Sequence, residues 1–324
     1  MPDAILTVLD VGNGCCAVLR DGDGAVLFDY AGGPEPRDFF RAVEIEAFDA
    51  AFISHTHKDH CAGLTGHFGE DFPIEVIVMN RRRSRRQSKT YKRLIKAITV
   101  AKEGPRPPRL IHFNSDIREQ CMERGGLSIR VLWPLSEHDH ADASPEWEDE
   151  HSSCGVVRID QGDARCVLLP GDLDIRGMRA IAERDPNALR AQALVFPHHG
   201  GDSGTDNYLF AKTLTSLVEP SMVVFSQARG AHGRPRPEIL KGIRAAAPDV
   251  YVACTQLSTD CDKRDLHEKD PRSEIDLPAA GIRTSRGACC AGPVQIAIEA
   301  GSVSFLGMES HLGFVGGQVE NAMC

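Results

Sequence analysis

The chain has 324 residues, a formal net charge of −9, 42% hydrophobic residues and 26% charged residues. A chain of this length can bury a large core, and its composition is that of a soluble globular protein. The acidic balance argues against a protein that coats nucleic acid with its whole surface.

The N-terminal segment has no basic region ahead of its short apolar run, which Asp10 interrupts. We therefore predict no signal peptide, and the lack of a run of about eighteen apolar residues predicts no membrane-spanning segment. A cytoplasmic location is the resulting expectation. In that reducing compartment, clusters among the 11 cysteines indicate metal binding or core packing before disulfides.

Short apolar segments separated by glycine-containing turns open the chain. They predict strands over 5–11, 15–19 and 25–29, a helix over 37–43, and a buried strand over 48–53.

The densest group of potential metal ligands follows that last strand. His55, His57, Asp59 and His60 lie within six residues. Two imidazoles at i and i+2 of an extended segment point to the same side. Nitrogen and oxygen ligands at this density suit a borderline divalent metal, and they divide into two pairs that can begin two neighbouring sites. The alternative is a polar loop that is incidentally rich in histidine.

The sequence H-x-H-x-D-H after an apolar strand resembles the signature of the metallo-β-lactamase-fold hydrolases. The D-V-G-x-G opening at 10–14 and the P-H-H-G at 197–200 resemble a subgroup typified by the hydrolase domain of ComEC-type competence DNA-uptake channels. The resemblance implies an α/β (α+β) fold, an αββα sandwich, with two divalent metal ions, zinc or manganese. It divides the chain into a hydrolase domain over 1–254 and a cysteine-containing extension over 255–324, packed on the same domain.

The resemblance also suggests the remaining ligands. Asp172 follows the strand predicted over 164–169, where the fold usually has a carboxylate that bridges two metals. Of the two histidines in P-H-H-G we favour His198 as a ligand of the second metal, with His199 as a contact to a ligand or to substrate. His151 is the candidate third imidazole of the first metal; water or substrate is the alternative, because ComEC-type sequences often have Asn, Asp or Ser nearby.

Two basic segments supply candidate substrate contacts. Residues 81–96 include nine Lys or Arg and no acid. Arginine forks suit phosphate, and an aromatic ring can stack on a base, although most charged runs are solvated helix faces. The segment 229–238 resembles the N-x-Y-G-H-P-x-P-E of the same subgroup, but Arg234 stands where the family has His, and His232 falls two residues earlier. The candidate substrate contacts are Arg81, Arg82, Arg83, Arg85, Arg86, Tyr91, Arg229 and Arg234.

Four cysteines near the C-terminus allow two interpretations. Cys254, Cys261, Cys289 and Cys290 could hold a structural zinc ion, or they could serve as small core residues. Neither pair has the C-x₂-C spacing that is typical of zinc sites. A closing β-hairpin is expected over 293–306.

Two cations that share Asp172 would provide a hydroxide near neutral pH and neutralise charge on the oxygen under attack. Asp59, His199 and His232 are the candidate catalytic groups. We therefore predict a metal-dependent hydrolase, with a phosphodiesterase or nuclease acting on nucleic acid or another phosphodiester as the leading hypothesis. The alternatives are a hydrolase of a thioester, lactone or amide, and a metal-free DNA-binding or docking module.

Overall fold

The computed structural model of the chain describes residues 2–22, 24–66, 72–79, 89–113, 122–134, 151, 154–230, 233–263, 289–319 and 321–323. Its strands are β1 (Ala4–Val8), β2 (Cys16–Asp21), β3 (Gly24–Tyr30), β4 (Phe48–Ile53), β5 (Ile74–Met79), β6 (Arg109–His112), β7 (Met122–Arg124), β8 (Leu127–Trp133), β9 (Val156–Gln161), β10 (Ala164–Leu169), β11 (Ala193–Val195), β12 (Met222–Phe225), β13 (Tyr251–Cys254), β14 (Val294–Glu299) and β15 (Ser302–Phe305). Its α-helices are α1 (Glu35–Ala42), α2 (Lys58–Thr65), α3 (Lys89–Lys102), α4 (Ile175–Arg184), α5 (Asn207–Val218), α6 (Pro237–Ala246) and α7 (Met308–Gln318).

The strands form two sheets. The strand order is β15-β14-β1-β2-β3-β4-β5-β6 in the first sheet and β13-β12-β11-β10-β9-β8-β7 in the second. Strands β3 to β6 run parallel to one another, and so do β10 to β13. Because the carboxyl ends of parallel strands lie along one edge of a sheet, the loops that follow them are brought together.

Three apolar clusters hold four layers together. The central cluster joins the inner faces of the two sheets and includes Phe28, Phe52, Val157 and Val195. The helices α1 to α3 bury Phe39, Phe40, Leu94 and Ile98 against the first sheet. The helices α4 to α7 bury Met178, Phe210, Ile243 and Val315 against the second. The predicted αββα sandwich is therefore confirmed.

Both faces of β4 are buried, which explains its continuous apolar sequence. Ala50 and Phe52 belong to the central cluster, whereas Ala51 and Ile53 pack under the helices. A strand in the middle of a two-sided sheet has no solvated face, so its sequence does not alternate between apolar and polar residues.

The predicted first strand was too long, because β1 ends at Val8 rather than at residue 11. Asp10 Oδ1 accepts a hydrogen bond from the Gly12 amide at 3.2 Å and another from Gln256 Nε2 at 2.8 Å. An Asp that bonds the amide two residues later forms a turn in place of a strand.

The C-terminal segment contributes to the first sheet. Strand β14 pairs antiparallel with β1, and β15 pairs antiparallel with β14, so the expected closing hairpin is present. The division of the chain at residue 254 stays a prediction, but the C-terminal segment adds two strands to the first sheet.

An arginine joins the two sheets at the end opposite the carboxyl ends of the parallel strands. Arg124, at the end of β7, donates to Asp21 and to Asp49 of the first sheet. Gly24 makes room for it, since a Cβ at this position would overlap the Arg124 guanidinium. The side chain of Asp21 is only 6% exposed, and Arg124 is its charged hydrogen-bond donor.

We predict that Arg124→Ala lowers the free energy of unfolding by about 2 kcal/mol, because it leaves a mostly buried carboxylate without its charged donor. Urea denaturation measures the change. Arg130→Ala is the matched control, since the Arg130 side chain is half exposed and its partner Asp160 keeps Arg158. Equal losses in the two variants would contradict the role of Arg124.

Candidate metal centre

Side chains from several strand ends converge where the carboxyl edges of the two sheets meet. Ligand atoms of His55, His57, His151 and Asp172 all lie within 4.8 Å of one another. His57 Nδ1 is 3.0 Å from His55 Nε2 and 3.3 Å from His151 Nε2. Asp172 Oδ2 is 3.6 Å from His55 Nε2 and 3.9 Å from His151 Nε2. Three imidazole nitrogens and a carboxylate oxygen suit a zinc or manganese ion.

A second group lies beside the first. Ligand atoms of Asp59, His60 and His199 also fall within 4.8 Å of one another. His60 Nε2 is 3.2 Å from Asp172 Oδ1, and His199 Nε2 is 3.6 Å from Asp59 Oδ2. Asp172 thus presents Oδ1 to the second group and Oδ2 to the first, which is the arrangement that a carboxylate bridging two ions requires.

The choice between His198 and His199 as a ligand of the second ion stays a prediction, and the geometry favours His199. The structure places His199, and not His198, with Asp59 and His60. His199 Nδ1 donates to the Ser226 carbonyl at 2.9 Å, which leaves Nε2 to bind a metal.

His198 lies against Asp172 instead. Its amide donates to Asp172 Oδ1 at 3.2 Å, its Nδ1 is 3.5 Å from Oδ2, and its ring packs edge-on against His151 with centroids 4.6 Å apart. Both histidines of P-H-H-G have left-handed φ values, 53° and 57°. Non-glycine residues rarely adopt this conformation, so an extended strand end is a poor guide to where their side chains lie.

Asp29, at the end of β3, is a candidate site residue that the motifs of the sequence did not indicate. Its carboxylate accepts from His60 Nδ1 at 2.7 Å and from the amide and hydroxyl of Ser54 at 2.7 and 2.9 Å. A carboxylate on Nδ1 fixes the imidazole tautomer and directs Nε2 toward a metal. The unusual φ of 51° at this Asp in F-D-Y-A-G-G is a structural signal of function, but the sequence alone does not show the contact.

The electrostatics of the site fit bound cations. Burial alone would lower the pKa of His60, but Asp172 and Asp29 on either side raise it well above its usual value. Burial alone would raise the pKa of Asp172, but His60 and a hydrogen bond from His198 hold it well below its usual value. Burial, and then His60, lower the pKa of His55. A bound cation in this place would supply positive charge beside the buried Asp172 carboxylate.

Buried lone pairs give the same indication. In the described part of the chain, the Nε2 atoms of His60, His198 and His199 are buried and have no hydrogen-bond partner of good geometry. Buried polar atoms without a partner are costly, and a bound cation satisfies them. The residues therefore fit the two divalent ions that the sequence predicts.

The candidate substrate contacts, together with the catalytic candidate His232, divide into four groups. The guanidinium of Arg229 donates to the backbone carbonyls of Leu257 and Asp262 at 3.0 and 2.8 Å and so braces that loop, and its contact with substrate stays a prediction. Arg234 is half-buried and lies against Gly201, directly after the turn that bears His198 and His199. Tyr91 lies in the first turn of α3, and its stacking role stays a prediction. The candidates that fall outside the described residues are Arg81, Arg82, Arg83, Arg85, Arg86 and His232.

The structural zinc site is not supported. Among the described residues, no group of metal-ligating side chains includes the four C-terminal cysteines. Cys254, Cys261 and Cys290 pack in the apolar cluster beneath α4 to α7. Cys289, which precedes Cys290 in the chain, is also buried. The alternative interpretation, small buried core residues, agrees with this environment.

Comparison with known proteins identifies the family. Residues 9–177, more than half of the chain, match the model of the metallo-beta-lactamase superfamily. The chain belongs to this superfamily. With its His/Asp cluster at the carboxyl edge of the sheets, it is a metal-dependent hydrolase of that fold.

A curated relative is the competence protein ComA of Neisseria gonorrhoeae, which is 25% identical over 250 residues. The alignment covers 75% of this chain and 30% of ComA, so the chain spans less than a third of that relative. Among solved structures, YhfI from Bacillus subtilis has a TM-score of 0.47 at 17% identity and covers 78% of this chain and 95% of its own. Tm1679, a metal-dependent hydrolase of the beta-lactamase superfamily, has a TM-score of 0.46 at 13% identity, with 79% and 95% covered.

A search of the described helices found none that combines the length and the apolar character needed to cross a bilayer.

We predict that Asp29→Asn weakens binding of the second metal ion by about 10-fold or more, because a neutral amide no longer favours the His60 tautomer that exposes Nε2. Competition between the protein and a chromophoric chelator measures the affinity. Asp202→Asn is the control, since Asp202 is exposed and pairs with Arg236. If both variants bound two ions as tightly as the wild type, the role of Asp29 would be wrong.

Proposed function

We propose that this protein is a binuclear phosphodiesterase, with a nuclease as the leading form of that activity. The observation that carries the proposal is a guanidinium fixed beside the metal centre. Burial lowers the pKa of Arg234, whereas the carboxylates of Asp172 and Asp59 act in the opposite direction, so its charge interacts with both ligand groups. A cation beside two metal sites favours a substrate with anionic oxygens.

Contacts with Asn13 and Gly201 hold the side chain of Arg234 in place. Its Nη1 donates to Asn13 Oδ1 at 3.0 Å, which joins the loop after β12 to the loop after β1. A Cβ at Gly201 would lie 2.7 Å from Arg234 Nε, so glycine lets the guanidinium rest, without shifting, against the turn that bears His198 and His199. Arginine contributes a planar fork of donors that matches phosphate oxygens. The ComEC-type sequence features and the partial similarity to ComA also support a phosphodiester substrate.

The chain's own residues suggest how the reaction would proceed. His55, His57 and His151 would hold one ion, Asp59, His60 and His199 the other, and Asp172 both. When bound, the ions would supply a hydroxide nucleophile at neutral pH and neutralise charge on the phosphoryl group. Arg234 would orient a non-bridging oxygen, and Asp59 would orient the attacking hydroxide. His198, whose Nε2 has no described partner, is the candidate donor of a proton to the leaving oxygen.

The described interior gives no support to a long acyl substrate. A cavity between the sheets lies against Asp172 and His199 and is lined elsewhere by Phe28, Phe52 and Phe113. Its volume is about 30 Å³, which accommodates one or two water molecules but no acyl chain. This cavity therefore does not support thioester or lactone hydrolysis.

The test is a cleavage assay with Zn, Mn, Mg and Co on single- and double-stranded DNA and RNA and on bis(p-nitrophenyl) phosphate. We expect metal-dependent cleavage, and a loss of about 100-fold in kcat/KM for Arg234→Gln, because one charged donor to the transition state is removed. Arg236→Gln is the matched control, since its guanidinium donates to the exposed Asp202. Cleavage of a neutral ester or lactone, with no phosphodiester cleaved under any of the four metals, would contradict the proposal.

A further inference from the structure

A buried thiol lies between the two halves of the first metal site. Cys154 is fully buried just before β9. Its Sγ accepts a hydrogen bond from the Asp172 amide at 3.1 Å and lies 3.7 Å from His55 Nδ1. The thiol also lies 3.6 Å from the Pro170 carbonyl, to which it can donate. One sulfur atom therefore contacts two candidate metal ligands that come from different sheets.

The backbone around the sulfur leaves no room for another side chain. Gly171 has a left-handed φ of 56°, and a Cβ there would lie 2.6 Å from Cys154 Sγ and 2.6 Å from Ser54 Cβ. The Gly155 amide donates to the Ser54 carbonyl at 2.7 Å and so ties the segment of Cys154 to the chain that leads to His55. The close approach of these segments brings the sulfur against both ligands.

The contacts of Cys154 act on the orientation of the ligands. His55 Nε2 faces His57 and Asp172, so this nitrogen must be unprotonated to bind a metal, and the ring proton must reside on Nδ1. The acceptors near Nδ1 are Ser54 Oγ at 3.1 Å and Cys154 Sγ at 3.7 Å. On the other side, the hydrogen bond to the Asp172 amide fixes the backbone from which the bridging carboxylate extends.

We propose that Cys154 is a positioning residue that holds His55 and Asp172 in the geometry the first metal ion needs. This inference rests on the metal centre of the proposed function, but not on the identity of the substrate. Partners of metal ligands commonly affect metal affinity because they set ring orientation and tautomer.

The test compares Cys154→Ala with Cys166→Ala. Cys166 is an equally buried thiol on β10, the strand that leads to Asp172, so both variants lose a core sulfur and both should lose some thermal stability. Metal binding separates them. Zn²⁺ and Co²⁺ are titrated against a chromophoric chelator, and the visible spectrum of the Co²⁺ form reports ligand geometry.

We expect Cys154→Ala to lower the affinity for one of the two ions about 10-fold to 100-fold and to shift the visible spectrum of the Co²⁺ form. Cys166→Ala should retain the wild-type affinity and spectrum. Cys154→Ser should recover most of the affinity, since its hydroxyl accepts the same hydrogen bond. If the alanine variant does not fold, Cys154→Val replaces it, with the same expected result, because valine fills space but accepts no hydrogen bond.

If Cys154→Ala, or Cys154→Val in its place, kept the wild-type metal affinity and Co²⁺ spectrum, the positioning role of Cys154 would be overturned. Equal losses in the Cys154 and Cys166 variants would also overturn it, because they would indicate a general packing effect. A wild-type protein that binds two ions but cleaves no phosphodiester would contradict only the proposed substrate. A wild-type protein that binds no metal would overturn the metal centre and the role of Cys154 together.

Discussion

The arrangement of the carboxyl edge depends on one buried carboxylate. Asp172 follows a strand of the second sheet, and its two oxygens face histidines that follow β4 of the first sheet, His55 on one side and His60 on the other. An ionised carboxylate this deeply buried is unfavourable unless positive charge or hydrogen bonds compensate it. The proposed cations would provide that compensation, and they would also join the two sheets at the edge where their loops meet.

The fold supports this edge with groups that do not themselves face a metal. Asp29 holds His60, the Ser226 carbonyl holds His199, and the Cys154 sulfur accepts from the Asp172 amide. Each support comes from a different strand end, so the geometry of the site depends on the packing of both sheets. The left-handed residues Asp29, His198 and His199 indicate that local backbone strain is tolerated here, which is a common feature of functional sites.

The sequence predicted the parts of the site that depend on local order. An apolar strand followed by H-x-H-x-D-H places ligands at a strand end, and the Gly-Asp at 171–172 does the same for the second sheet. Asp29 could not be predicted in this way, because its contact with His60 requires that β3 and β4 be neighbours in the sheet. The roles of His198 and His199 depend on two left-handed residues in succession, which no periodicity encodes.

Long-range contacts explain two further differences between the sequence-based expectations and the structure. Arg229 is of a residue type that commonly binds phosphate, but its guanidinium donates to backbone carbonyls of the loop after β13. The C-terminal cysteines resemble a metal site in number, yet the helices on the second sheet enclose most of them in an apolar cluster. In both cases the residue type was informative about chemistry, and only the tertiary environment decided how that chemistry is used.

The most direct test of the central claim is anomalous diffraction from crystals loaded with zinc or manganese. We predict two ions on either side of the Asp172 carboxylate, about 3.5–4 Å apart, one bound by His55, His57 and His151 and the other by Asp59, His60 and His199. An ion held away from Asp172, or a second ion bound by His198 in place of His199, would contradict it.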